Sequence, residues 1–417
     1  MEYLHHSSIP ATKSELELFS IPPTQTVIEA SYEVNFNPTT SLENSSSFEF
    51  NISASDDFTD LSETFLYSQI KLMKPDGAAF AATDVISPVK NFANSLFEQI
   101  DFIVNGKNIC PSNNTYHYLS FLEDLLFKHP NNVDAGSMID SKVNLKERSE
   151  KSKVFDIYFK LHVPLCQQNN LLLNGVPITI RLQRSKDLFS VISSVNTITD
   201  VKIKFLKLNL TIKRVKLFPD AQEGILTGLN SSPAKYFITR NEVKTFSIAS
   251  GLSSHTIENI FNGALPKRLL IGFVSNDCFH GKLAFSPYLF QSFKLNFISI
   301  NVDGVQYPSS GYTPDFEKDL YMKEFVCLYK FFNQHEGVPQ LNITHKEFKE
   351  MPLFAFDLSP DCSTGSESGT LSLVKRGSIR VDMRFNEALT SSIHMIVFAQ
   401  FDNLIEIDKF RNVQLDY

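Results

Sequence analysis

His335-Glu336 begins like the helix of a zinc protease, but the second histidine that would complete the metal site does not follow. Gly365-Ser366-Glu367-Ser368-Gly369 has the spacing of a nucleophile elbow, with Glu367 standing where that chemistry needs serine. Asp56-Asp57 pairs two carboxylates in a polar stretch, where a solvated turn is the ordinary outcome. The ten histidines are scattered. Cysteines stand singly at 110, 166, 278, 327 and 362, an odd number with no metal-ligand or disulfide spacing, which fits a reducing setting during synthesis. No phosphate-binding loop and no G-x-G-x-x-G occurs. The sequence therefore nominates no catalytic, cofactor-binding or metal residue.

One charged pattern stands out. Lys202, Lys204, Lys207, Lys213 and Lys216 occupy one face of an apolar, alternating stretch. A solvated strand face is the simple reading. The sharper one is a basic surface facing packaged nucleic acid, touched weakly and without sequence preference. The formal net charge of −7 argues against a chain whose main task is wrapping nucleic acid. The 12% of aromatic residues do not interleave with a basic patch as a single-strand binder requires.

The elements that would position any site are strands. Ile28, Ala30, Tyr32, Val34 and Phe36 alternate with polar residues and predict a half-buried strand. Phe48 to Ile52, Phe155 to Val163, Ile178 to Leu182 and Ile379 to Phe385 repeat that period. Ile393 to Phe401 is apolar on both faces and predicts a central strand. Between Val201 and Leu217 the apolar phase slips by one residue after Phe205, which predicts a β-bulge. With 37 Phe and no Trp, large cores are expected to be built mainly from phenylalanine.

Two stretches read as copies. Ser87-Pro88 leads through Phe92 to Asn105-Gly106 and Pro111-Ser112; Ser286-Pro287 leads through Phe290 to Asp303-Gly304 and Pro308-Ser309. The glycines lie 198 residues apart, nearly half of 417, so the chain reads as two related domains in tandem. Asn-Gly and Asp-Gly are tight-turn signals. A helix is expected after each: Tyr118, Leu122, Leu125 and Leu126 form one stripe, and Leu320, Tyr321, Phe325 and Leu328 the other, with Thr313 as cap and Pro314 in the first turn. The expected fold is all-β: two tandem eight-stranded antiparallel jelly rolls, each with a short helical insertion. The expected division is an N-terminal arm over 1–26, roll one over 27–220, a Gly/Ser/Asn-rich linker over 221–234 and roll two over 235–417. Pro130 to Ser152 and Asp361 to Gly369 are polar loops. No apolar run approaches the roughly 20 residues of a membrane span, and Met1 to Ser20 has no signal-peptide core. The sequons at Asn44, Asn51, Asn209 and Asn342 are then chance matches.

Three segments carry a resemblance. They are Ser14-Glu15-Leu16-Glu17-Leu18-Phe19 running into Ile21-Pro22-Pro23-Thr24-Gln25-Thr26, Val374 to Arg380, and Phe401 to Lys409 with Arg411-Asn412-Val413. They resemble the terminal signatures and last conserved strand of the double jelly-roll, hexon-like major capsid proteins of Polinton/Maverick elements and related adintoviruses. The resemblance runs from Ser14 to the end. It implies a non-enzymatic homotrimer in which six sandwiches tile an icosahedral shell. It also implies trimer–trimer contacts, penton and minor capsid proteins as further partners, at most weak contact with packaged DNA, synthesis in the host cytoplasm and residence in the virion. The arm is expected to order against a neighbouring subunit or a minor capsid protein. The alternatives are a tandem β-sandwich carbohydrate- or ligand-binding protein, disfavoured by the lack of Trp platforms and of a secretory signal, and an enzyme with a dispersed site, for which no clustered His ligands are visible.

Overall fold

The computed structural model describes residues 7–8, 14–16, 18–19, 21–81, 83–127, 145–193, 198–332, 343–359 and 375–416. Its first half contributes β1 (Ile28–Phe36), β2 (Ser47–Ile52), β3 (Phe58–Met73), β4 (Phe97–Val104), β5 (Lys107–Asn108), β6 (Val154–Lys160), β7 (Ile178–Arg184) and β8 (Lys202–Leu217). The second half contributes β9 (Ala234–Ile248), β10 (Ser254–Ile257), β11 (Arg268–Ser275), β12 (Leu295–Val302), β13 (Val305–Tyr312), β14 (Phe354–Asp357), β15 (Arg376–Phe385) and β16 (Ile393–Ile407). The first half forms two four-stranded sheets, ordered β1-β8-β3-β6 and β2-β7-β4-β5, and a two-stranded ribbon pairing 86–88 with 191–193. The second forms β9-β16-β11-β14 and β10-β15-β12-β13, the same order shifted by eight. All these pairings are antiparallel, and short strands at 262–264 and 413–415 extend the second pair of sheets. Each half is therefore a jelly roll, and the repetition of its order is the double jelly roll.

Local chemistry explains the elements. Asn105 and Gly106 have φ of 43° and 81°, and Asp303 and Gly304 have φ of 47° and 91°. Two consecutive positive φ values make the two-residue turn whose twist suits a hairpin, and Asn, Asp and Gly tolerate them. These turns join β4 to β5 and β12 to β13, the equivalent place in each roll. In β2, Phe48, Phe50 and Ile52 point inward opposite Leu182, Ile180 and Ile178 of β7. Phe48 meets Phe205 of the facing sheet edge-on at 5.0 Å. Each such buried side chain contributes about 1.5–3 kcal/mol. The phase slip after Phe205 is a real bulge: the β8–β3 register shifts between Phe205 and Lys207, and Leu206 is left exposed. Ile393 to Phe401 is buried on both faces because β16 lies between β9 and β11.

Three local expectations fail. The first six residues of β1 are exposed on both faces, because β1 is an edge strand paired only with β8. The Gly/Ser/Asn-rich stretch between the halves is not an open linker over its first part. It forms α2 (Pro219–Ser231), after α1 (Tyr116–Phe127) and before α3 (Met322–Phe332) and α4 (His345–Glu350). Pro219 starts α2 behind an extended Phe218, and Ala221, Ile225 and Leu229 at four-residue spacing lean on the first core. That packing outweighs Gly224 and Gly228. Thr313 does not cap the second-half helix, which begins only at Met322. Asp315 instead closes a tight loop, accepting from the backbone N–H groups of Glu317 and Lys318. The N–H of Thr313 donates to Glu324 within α3, 3.0 Å away.

Candidate assembly interface

Two surfaces matter for a protein built this way: the seam that fuses the rolls, and whatever the fused block leaves uncovered. The seam is built around α1. Ten of its twelve residues are buried, because the helix leaves roll one and lies against roll two. Tyr118, Leu119, Phe121, Leu122 and Leu126 belong to the second roll's core, while Tyr236, Ile238, Ile405 and Ile407 of roll two belong to the first roll's core. Phe121 stacks on Tyr288 at 4.2 Å and 2°, and Tyr118 stacks on Phe279 at 5.9 Å. The hydroxyl of Tyr118 donates to the carbonyl of Pro287 at 3.1 Å. At Gly281 (φ 73°) an added Cβ would lie 2.8 Å from Cα of Phe189, so the two backbones touch where only glycine fits. Near the C-terminus, Arg411 donates through Nε and Nη2 to the carbonyl and side chain of Asn174, both at 2.7 Å.

A polar network crosses this apolar seam. Glu123 Oε2 accepts from His162 Nδ1 at 2.6 Å and from Gln167 Nε2 at 2.7 Å; its Oε1 accepts from Asn241 Nδ2, in roll two, at 2.6 Å. Asn241 in turn accepts from Gln400 of β16 at 3.1 Å. His162 Nε2 lies 3.3 Å from Asp124 Oδ1. Burial by itself would lower the His162 pKa, but the charge of Asp124 and the hydrogen bonds to Asp124 and Glu123 outweigh it and raise it to about 10. The imidazolium is thus the resident form. Both its nitrogens are committed to carboxylates, which makes the cluster an ion-pair lock rather than a ligand set. Beside it is a cavity of about 20 Å³, room for about one water. His117 is the opposite case. It packs edge-on against Phe189 at 4.2 Å, its Nδ1 has no hydrogen-bond partner, and burial pushes its pKa down to about 3.

Outside the seam, apolar groups lie open. On the arm, Leu18 is 76% exposed, Phe19 96% and Ile21 90%. On β1, Ile28 and Tyr32 are exposed. At the arm's root an apolar groove runs between the two rolls, floored by Phe58, Leu171, Leu173, Leu217 and Tyr236 and flanked by Ile225 of α2. The Lys-rich face does line the outside of β8. Lys213 pairs with Asp60 and Lys216 with Glu29, Lys202 donates to Asn44, and Lys207 sits 5.6 Å over the Tyr67 ring. Carboxylates from β1 and β3 therefore neutralise part of it.

Among the described residues the chemistry-bearing motifs do not converge. His335-Glu336 and Gly365 to Gly369, with Cys362, lie outside the described residues. Asp57 accepts from the Tyr32 hydroxyl at 2.6 Å in an exposed loop. Cys110, Cys166, Cys278 and Cys327 are free thiols, and burial raises Cys166 to about 12, which makes it inert. Among the described residues no group of three or more His, Cys, Asp or Glu could hold a metal ion, and no helix is long and apolar enough to cross a membrane. The seam network went unseen in the sequence, since Glu123, His162 and Asn241 are far apart and each looks like an ordinary polar residue.

No family model matches the chain. A relative, an uncharacterised protein of Caenorhabditis elegans, is 21% identical over 429 residues, covering 95% of this chain and 99% of its own. Among solved structures, a chain of the Sputnik virophage matches with a TM-score of 0.62 at 13% identity, over 100% of this chain and 94% of that one. The mavirus major capsid protein matches with a TM-score of 0.56 at 11% identity, over 100% and 97%. The faustovirus major capsid protein matches with a TM-score of 0.53 at 8% identity, over 95% and 92%. The fold is thus one found in viral double jelly-roll major capsid proteins, along the whole chain.

Proposed function

We propose that this chain is a non-enzymatic, structural major capsid subunit of a Polinton/Maverick-type virus or virus-like transposon. The observation that carries the reading is the fusion of two jelly rolls of identical strand order into one block. A single roll has no need of such a seam, whereas a shell subunit gains from it. Three copies present six similar sandwiches around a closed three-fold axis, a pseudo-hexagon that tiles. The full-length fold match to viral capsid proteins supports this reading, as do the terminal signatures. A full-length relative in a nematode accords with an element carried in an animal genome.

In this reading residues 27–220 and 235–417 are the two sandwich units, joined through 221–234, and 1–26 is the arm. The partners are further copies of the chain, first in the trimer and then between trimers, with penton and minor capsid proteins completing the shell and DNA touched weakly at most. The virion is its destination and the host cytoplasm its place of synthesis. Electron microscopy of concentrated protein tests the proposal: hexagonal particles or shells support it, and a field of single two-lobed molecules refutes it.

A further inference from the structure

The arm and the groove at its root are both apolar; Gln25 at the arm's end lines the groove, while the apolar side chains farther out on the arm stay exposed. Phe19 and Ile21 are almost fully exposed, and Val27 and Ile28 on the groove's wall are exposed too, with Leu171 and Ile225 half-buried above a buried floor of Phe58, Leu173 and Leu217. Gln25 fixes this. Its side chain accepts from the N–H groups of Val27 and Ile28 at 2.8 and 2.9 Å and donates to the carbonyl of Ile28 at 2.7 Å. That clamp sets the direction in which the chain leaves β1. From Gln25 to Phe19 the extended arm reaches about 20 Å. Such a length is ample to cross a boundary between touching copies.

We propose that the arm of one copy seats Leu16, Leu18, Phe19 and Ile21 in the groove of a neighbouring copy, each copy giving one arm and receiving one. The inference rests on the self-assembling reading above and adds the contact that closes the ring. The groove joins both rolls, since Phe58 and Leu217 come from the first and Tyr236 from the second, with Ile225 of the connecting α2 at its flank. An incoming arm thus reads the seam as well as the partner. A head-to-tail exchange of this kind closes when the rotation is three-fold.

The test uses the full-length chain with a photo-crosslinking phenylalanine analogue at position 19, mixed as heavy-isotope and light-isotope copies. Cross-links from position 19 to peptides containing Leu171, Leu173 or Ile225 are expected between heavy and light copies. A triple variant, Leu18→Ser with Phe19→Ser and Ile21→Ser, is expected to raise the concentration needed for assembly about 100-fold. Its dilute monomer should unfold at an unchanged temperature, because these side chains touch little of their own chain. Ile225→Arg, which places charge at the groove's flank, should weaken assembly likewise. If trimers form but the cross-links stay within one copy or land elsewhere, the exchange is wrong and the capsid reading stands. If the unsubstituted chain never associates, both fall.

Discussion

Removing the Glu123 carboxylate should loosen the seam more than any single surface change. Glu123→Ala takes the acceptor from donors on His162, Gln167 and the buried Asn241, and strips an imidazolium of one partner. Breaking a buried charged cluster this way costs about 3–5 kcal/mol. The same cluster makes a pH signature. The folded chain keeps the His162 proton to about pH 10, the unfolded chain only to about 6.5. The contribution is complete below 6.5 and is lost as the pH rises toward 10, at roughly 1.4 kcal/mol per pH unit. Between pH 7 and 9 the loss is therefore about 2.7 kcal/mol. Urea unfolding followed by tyrosine fluorescence, which is unobscured because Trp is absent, measures it at both pH values. His162→Gln should flatten that slope. An unchanged slope in His162→Gln, or a loss below 1 kcal/mol in Glu123→Ala, would refute the lock.

Acid should attack the seam from its other side. His117, held at about 3 by burial, gives stability that is full above about pH 6.5 and falls with pH, by about 2 kcal/mol at pH 5. His117→Phe should remove that acid-limb loss in a thermal-melt series. Gly281→Ala should lower stability by about 2 kcal/mol or more, since the alanine would meet the Phe189 backbone at positive φ. Unfolding midpoints compared with Gly224→Ala, which meets nothing, isolate the effect. Replacing Lys202, Lys204 and Lys207 by Gln should reduce any DNA binding and its salt slope while leaving assembly intact, as filter binding and sedimentation would show. A fall in assembly instead would make this face structural.

Much of the architecture was legible because strands write their burial into period two. The slip at Phe205 marked the bulge, the two-sided run from Ile393 marked a central strand, and the paired Asx-Gly turns marked the duplication. What escaped was decided by tertiary contact. The Ala221, Ile225 and Leu229 stripe in α2 was masked by glycines and small polar residues, and only the first core made it a helix. Thr313-Pro314 reads as a helix start, but Asp315 used the local backbone donors for a loop. The alternation in β1 was real, yet among the described residues nothing buries its first six positions, and only Val34 and Phe36 are partly covered. The stripe on α1 announced a helix, not that it would enter the other roll. Arg411 stood out in a terminal motif whose physical task, gripping Asn174 more than 200 residues away, no local pattern encodes.

Light scattering on the eluting protein at high micromolar concentration measures directly whether the doubled sandwich exists to contact copies of itself. A species of about 142 kDa, three times the 47.2 kDa chain, is the result expected. A monodisperse 47.2 kDa monomer that persists at those concentrations would contradict it.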